Sequence, residues 1–91
     1  MIFDGEKFKA LVLYVIWRAG QYDAFGATKL NKVLWFADAR AFEALGQQIT
    51  GESYRRDKFG PVPQHVREIC DELESEGSIE TWTEQYFDFS G

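Results

Sequence analysis

Few residues in this 91-residue chain have the side chains and spacing that catalysis or metal binding needs. The single cysteine, Cys70, and the single histidine, His65, lie five residues apart, which on a helix would point them about 140° away from each other. His65 and Glu68 would share a helix face, but a solvated pair explains them as well as a metal ligand pair does. A zinc site takes about four Cys or His ligands. We therefore predict no metal site and no cysteine nucleophile.

Phosphate-binding and serine-nucleophile motifs are also absent from the sequence. Gly60 is followed by proline and Gly77 closes a predicted helix, so neither glycine opens a phosphate loop. No serine stands in a G-x-S-x-G turn. Asp38 is the one carboxylate of interest, because it stands in an apolar helical segment, and pairing with Arg or Lys of a neighbouring segment explains it better than acid–base catalysis. The sequence predicts a protein that is not an enzyme and uses no cofactor.

A binding surface is better supported, by residues 54–59. Their sequence, Tyr-Arg-Arg-Asp-Lys-Phe, mixes three cations with two aromatic rings just before a rigid Gly-Pro pair. Arginine and aromatic side chains dominate the energetics of protein interfaces, which favours a protein partner. The same residues could contact phosphates, or form an edge strand whose charges prevent aggregation. The predicted contact residues are Lys29, Lys32, Tyr54, Arg55, Arg56, Lys58 and Phe59.

Composition indicates that one folded domain, residues 1–91, positions these residues. Hydrophobic residues make up 45% of the chain and aromatic residues 16%, which is enough for a thin core. The longest apolar run, residues 10–17, is too short to span a membrane, and no signal peptide opens the chain. A single cysteine excludes an internal disulfide framework, as expected in a reducing compartment. We predict a cytoplasmic protein without a membrane partner.

The charge of the chain is unevenly distributed. The net charge is −5, but residues 1–67 carry a net +3 and residues 68–91 a net −8. This split is compatible with an ordinary solvated surface, and also with a basic and an acidic contact face.

Two helices are predicted in the first half of the chain. Asp4 can cap a helix that runs to about Ala19, with Gly20 as its stop. After a polar connection over residues 20–27, Thr28 is predicted to cap a second helix, roughly residues 29–45, which Gly46 ends. The second helix is apolar on most faces, so we predict that it is the central helix of the domain. Its predicted core residues are Leu30, Val33, Leu34, Trp35 and Ala37.

The second half of the chain mixes extended and helical patterns. Residues 47–59 predict an irregular turn and a short extended segment, and Gly60-Pro61-Val62 interrupts regular structure. Pro63 suits the first turn of a third helix that ends near Glu76 with its acidic side outward. Residues 78–89 favour a β-hairpin. The predicted fold class is α+β and mostly α-helical, a three-helix core with a short extended segment and a C-terminal β-hairpin, in winged-helix-like order.

Four pieces of the sequence, in order, resemble a known family. They are residues 28–38 (Thr-Lys-Leu-Asn-Lys-Val-Leu-Trp-Phe-Ala-Asp), 48–54 (Gln-Ile-Thr-Gly-Glu-Ser-Tyr), 59–63 (Phe-Gly-Pro-Val-Pro) and 77–79 (Gly-Ser-Ile). Together they resemble the Panacea domain, the domain of SocA-like antitoxins that also occurs in phage-associated proteins. The motif residues expected to have structural roles are Leu30, Phe36, Asp38, Thr50, Gly51, Gly60, Pro61 and Val62.

The resemblance implies a bacterial, non-catalytic antitoxin of a toxin–antitoxin system, which neutralises a cognate protein toxin by direct contact. It also implies a second role, as an adaptor that presents the toxin to a cytosolic protease. Family members usually continue for some tens of residues past the equivalent of Gly91, so the chain is either a short variant or the N-terminal part of a longer protein. The oligomeric state is not indicated.

A winged-helix-like DNA-binding or regulatory domain is the alternative. Element order supports it, as do the cations Lys29, Lys32, Arg55, Arg56 and Lys58. The acidic third helix disfavours it, because that helix would meet phosphate repulsion in the major groove. A nucleic-acid partner is therefore not the preferred prediction.

Overall fold

The structure is a computed structural model that describes residues 2–20, 25–83 and 86–89, with the side chains of residues 2–19 and 26–80. The described residues form three helices and five short strands, so the predicted α+β, mostly helical fold class is confirmed. In chain order the elements are α1 (Gly5–Gly20), β1 (Phe25–Gly26), α2 (Ala27–Leu45), β2 (Tyr54–Asp57), β3 (Gly60–Pro63), α3 (Val66–Ser75), β4 (Ile79–Thr83) and β5 (Tyr86–Phe89). In these residues no helix has the uninterrupted apolar length that a bilayer span requires.

The strands form two antiparallel sheets. One has three strands in the order β1-β5-β4, and the other is the separate hairpin β2–β3. The predicted C-terminal hairpin is therefore confirmed as β4–β5. The winged-helix-like order is also present, with the hairpin β2–β3 inserted between α2 and α3.

The core is organised around α1. Asp4 caps this helix as predicted, because its Oδ1 accepts the Lys7 backbone N–H at 3.1 Å. α1 packs against α2, α3 and β5. The buried apolar side chains are Phe8, Val12, Val15 and Ile16 from α1, Leu30 and Leu34 from α2, Ile69, Cys70 and Leu73 from α3, and Ile79 from β4.

The prediction that α2 is the central helix is wrong. Leu30 and Leu34 are buried as expected, but Val33 is 38% and Trp35 45% exposed. α1 and β3 cover one side of α2, and the other side stays exposed in the described part of the chain. The spacing of apolar residues shows which faces of a helix are apolar, but it does not show which of those faces another element covers.

Two predicted helix starts are also wrong. α2 begins at Ala27 with the extended Gly26 at the capping position and no side-chain cap, so Thr28 lies inside the helix. The pairing of β1 with β5, which the sequence did not predict, fixes where the chain enters α2. α3 begins at Val66 rather than at Pro63, because Pro63 is the last residue of β3.

Gly60-Pro61-Val62 was predicted to interrupt regular structure but forms strand β3, and the hairpin register explains why. Gln64 N donates to Ser53 O at 2.9 Å, and the pairs Tyr54–Pro63 to Asp57–Gly60 follow. In an antiparallel ladder every second pair exchanges hydrogen bonds. Pro61 and Pro63 therefore fall at positions where β2 needs no N–H donor.

Cys70 lies in the core, where burial raises the pKa of its thiol to about 12, with Asp71 and Glu74 acting in the same direction. At pH 8 roughly one thiol in 10⁴ is then a thiolate. We expect iodoacetamide to alkylate Cys70 only when the domain unfolds, which mass spectrometry with and without urea can measure. Equal alkylation rates with and without urea would contradict the buried placement of Cys70.

Because the pKa of Cys70 is raised in the folded state, the stability that Cys70 contributes is present below its ordinary pKa of 9.0 and lost as the pH rises towards 12.

Candidate functional site

Asp38 is the centre of a buried hydrogen-bond network. The residue is 1% exposed, and its Oδ1 accepts the backbone N–H groups of Ile49 at 3.0 Å and Thr50 at 3.1 Å. Its Oδ2 accepts the Thr50 and Tyr54 hydroxyls, each at 2.7 Å. The predicted pairing with Arg or Lys is wrong: among the described residues Asp38 has no cationic partner. Four neutral donors satisfy the buried carboxylate instead.

A second buried acid, Glu52, extends this network to the start of α3. Its carboxylate accepts the Ser53 N–H at 2.9 Å and, from His65, both the backbone N–H and Nδ1 at 2.8 Å. The Glu52 backbone N–H donates to the Thr50 hydroxyl at 3.1 Å, which joins the two acids. His65 was predicted to be paired with Glu68 on a helix, but it precedes α3 and binds Glu52 instead. Thirteen residues separate Glu52 from His65, so no helical or strand period could have predicted the pair.

The N-terminal residues close over this network. The Phe3 ring stacks on the His65 ring at 4.0 Å between centroids, and the Asp4 N–H donates to Thr50 O at 2.8 Å. Gly51 has φ +73°, and a Cβ built there would lie 2.4 Å from the Ile2 carbonyl oxygen. Only glycine lets the backbone approach this closely.

Tyr54, one of the predicted contact residues, points into the network. Burial raises the pKa of its hydroxyl, and the hydrogen bond to Asp38 acts in the same direction. The hydroxyl therefore stays protonated as a donor to Asp38. Through this hydrogen bond to Asp38, Tyr54 supports the β2–β3 hairpin from its buried side.

The exposed side of α2 carries a shallow groove of about 450 Å³, here named the α2 groove. Phe36, a motif residue expected to be structural, is 57% exposed there. Lys29 and Lys32, both exposed, lie at the groove, and the Lys32 stem lies against Gly60 at the hairpin turn. The groove is lined by Lys29, Lys32, Val33, Trp35, Phe36 and Pro61.

The tip of the β2–β3 hairpin carries the other predicted contact residues. Arg55, Arg56, Lys58 and Phe59 are all exposed, and the Lys58 ammonium lies 5.4 Å from the Phe59 ring centroid. On α2, the Arg40 guanidinium lies 5.8 Å from the Phe36 ring centroid. None of the cations on these two elements forms an ion pair with an acid in the described part of the chain. They are Lys29, Lys32, Arg40, Arg55, Arg56 and Lys58.

The motif residues thus fall into two groups. Asp38, Thr50 and Gly51 belong to the buried network, and Leu30 belongs to the core. Phe36 of α2 and Pro61 of β3 line the α2 groove, and Val62, which follows Pro61 in β3, is half-buried. Sequence reasoning missed Arg40, Glu52 and the exposure of Trp35, and only the tertiary arrangement supplies those.

A second cleft, of about 700 Å³, lies between the N-terminal residues and α3. Carboxylates of Asp4, Glu6, Glu68 and Glu72 line it together with Lys9, which bridges to Glu72 at 2.7 Å and Glu76 at 2.5 Å. Residues 2–20, 25–83 and 86–89 contain no group of three His, Cys, Asp or Glu arranged to hold a metal ion.

Fold and site together define a small, mostly helical α+β domain with an exposed apolar groove on one helix, as is typical of domains that dock other molecules. The family model "Antitoxin SocA-like, Panacea domain" matches residues 30–90, about two thirds of the chain. The chain belongs to this family, as the motifs predicted. No curated protein and no solved structure matches the chain.

Proposed function

We propose that this domain is an antitoxin that neutralises a protein toxin by direct contact, through the α2 groove and the neighbouring tip of the β2–β3 hairpin. The observation that carries the proposal is the α2 groove itself, where Val33, Trp35 and Phe36 are exposed beside two lysines that pair with no acid among the described residues. An exposed apolar patch with polar residues at its rim marks an interaction site. Membership of the SocA-like antitoxin family supports a toxin as the kind of partner.

The use of the polar side chains supports contact rather than catalysis. Asp38 and Glu52 have their acceptor atoms occupied by donors of the fold, and His65 is held between Glu52 and Phe3. The Cys70 thiol is buried and protonated. A general base or nucleophile needs a free, accessible atom, which the Asp38 and Glu52 carboxylates and the Cys70 thiol do not offer.

Within this surface we assign the apolar contacts to Phe36 and Phe59 and the charged contacts to Lys29, Lys32, Arg55, Arg56 and Lys58. Aromatic anchors surrounded by cations are the usual composition of an interface hot spot. Tyr54 contributes by holding the hairpin in place through Asp38.

Co-expression with the product of a toxin-like gene adjacent to this one tests the proposal. We expect growth to be rescued, the two proteins to co-purify, and Phe36→Ser to weaken binding at least about tenfold. Tyr14→Ser is the matched control, because Tyr14 on α1 is 56% exposed and Phe36 is 57% exposed. Failure of the wild-type domain to bind and rescue would contradict the antitoxin function. Equal binding by the Phe36 and Tyr14 variants would contradict the surface.

The same proposal includes an adaptor role towards a cytosolic protease, and with it a cytoplasmic location. An adaptor needs a second free surface while the first holds the toxin. The acidic outer side of α3 supports such a role, since Glu68, Asp71 and Glu72 are exposed on a different helix from the groove.

The DNA-binding alternative has less support. Although the element order is winged-helix-like, the exposed positions of α3 carry acids that would repel phosphates. Arg67 is the only cation of α3.

A further inference from the structure

We infer that the α2 groove binds an acidic amphipathic helix of the partner, about two turns long. The inference rests on the proposed function only in calling the partner a toxin. The chemistry of the bound segment follows from the groove itself.

The shape of the groove sets the length of the bound segment. Lys29, Lys32, Val33 and Phe36 follow the i, i+3, i+4, i+7 spacing, so they form one face of α2 about 10 Å long. Pro61 of β3 forms the facing side. Two turns of a partner helix match this length, with an apolar stripe that meets Val33, Trp35 and Phe36.

The groove favours a helix over an extended strand, because it offers an added strand few backbone hydrogen-bond partners. Beyond the first turn of α2 the N–H groups are used within the helix, as are the C=O groups before its last turn, and Pro61 has no N–H. An added strand needs main-chain partners, whereas a helix satisfies its own backbone. Both strands of the β2–β3 hairpin are sheet edges, but at the outer edge of β3, beside the groove, Pro61 and Pro63 have no N–H to offer an added strand.

Charge sets the acidic character of the bound helix. Lys29 and Lys32 line the groove, Arg40 lies against the Phe36 ring, and Lys58 stands at the adjacent hairpin turn. Among the described residues, these four cations have no acidic partner. Complementary charge around an apolar centre selects partners and speeds association.

A second copy of this chain fits the groove less well. Its most acidic element is α3, but the apolar stripe of α3, Ile69, Cys70 and Leu73, is buried in the core. The outer side of α3 therefore supplies charge without the apolar side chains that would fill the groove.

A peptide experiment tests the inference on the whole domain. The probe is a fluorescent amphipathic helical peptide with leucines at i, i+3, i+4 and i+7 and glutamates on its flanks, and the matched peptide replaces each glutamate by lysine. By fluorescence anisotropy we expect the glutamate peptide to bind at least about tenfold more tightly, with affinity that falls as salt rises. Lys29→Glu with Lys32→Glu should reverse the preference, and Phe36→Ser should weaken the glutamate peptide. Lys29→Glu alone keeps the Lys32–Gly60 contact and should shift the preference in the same direction, by less.

Three results would overturn the inference: equal binding of the two peptides, no reversal in the charge variants, or a wild-type dimer in light scattering that these variants dissociate. The toxin assay separates this inference from the proposed function. A toxin that binds and is neutralised equally by the wild type and the double charge variant overturns the acidic helix and leaves the antitoxin function standing. If the glutamate peptide binds as expected but no toxin binds, the acidic-helix inference stands and the antitoxin function is contradicted.

Discussion

Asp38→Ala is expected to lower the free energy of unfolding by about 3 kcal/mol, a large part of the total stability of a small domain. The substitution removes the acceptor of two backbone N–H groups, from Ile49 and Thr50, and of two hydroxyls, from Thr50 and Tyr54. Buried donors that lose their acceptor cost far more than a surface hydrogen bond does. Urea unfolding followed by tryptophan fluorescence measures the change.

Two further substitutions control the Asp38 experiment. Asp38→Asn keeps one acceptor oxygen and should lose roughly half as much stability. Asp71→Ala removes an exposed acid of α3 and should change the free energy of unfolding by less than about 0.5 kcal/mol. If Asp38→Ala were no more destabilising than Asp71→Ala, the four hydrogen bonds would not be what stabilises the loop after α2.

Local signals in the sequence were sufficient for the outline of the fold. The Asp4 cap, the ends of the first two helices near Gly20 and Gly46, and the C-terminal hairpin all depend on residues close together in the chain. Leu30 and Leu34 were identified as core by helical period. Such features need no knowledge of what packs against what.

The features that define the candidate site depend instead on tertiary contacts. Helical period placed Val33 and Trp35 in the core, yet the described structure leaves both partly exposed. Glu52 and His65 are brought together by the hairpin that separates them in sequence. From the sequence alone, Pro61 predicts an interruption of regular structure. Only its pairing register shows that strand β3 can include it.

A family motif can identify a fold without identifying its partner. Asp38, Thr50 and Gly51 are motif residues that connect α2, the following loop and the N-terminal residues through buried bonds and a close approach. Asp38 and Thr50 are buried and therefore inaccessible to a partner. Specificity is therefore expected from the exposed residues around Phe36 and at the hairpin tip.

Gly51→Ala should show the close approach of the N-terminal residues most directly, with a loss of about 3 kcal/mol. The residue has φ +73°, which strains any other side chain, and its added Cβ would lie 2.4 Å from the Ile2 carbonyl oxygen and 3.1 Å from Phe3 Cα. Backbone atoms cannot rotate away as a flexible side chain can. Thermal and urea unfolding measure the loss.

Gly46→Ala separates the two causes. Gly46 has a similar φ of +76°, but nothing lies within 4 Å of its added Cβ, so we expect a loss of only about 1 kcal/mol. The difference between the two variants measures the close approach, and equal losses would contradict it. A second readout is local: displacement of Ile2 and Phe3 should lift the Phe3 ring from His65. As His65 is the only histidine of the chain, its ring proton resonances report that shift in Gly51→Ala and should remain in place in Gly46→Ala.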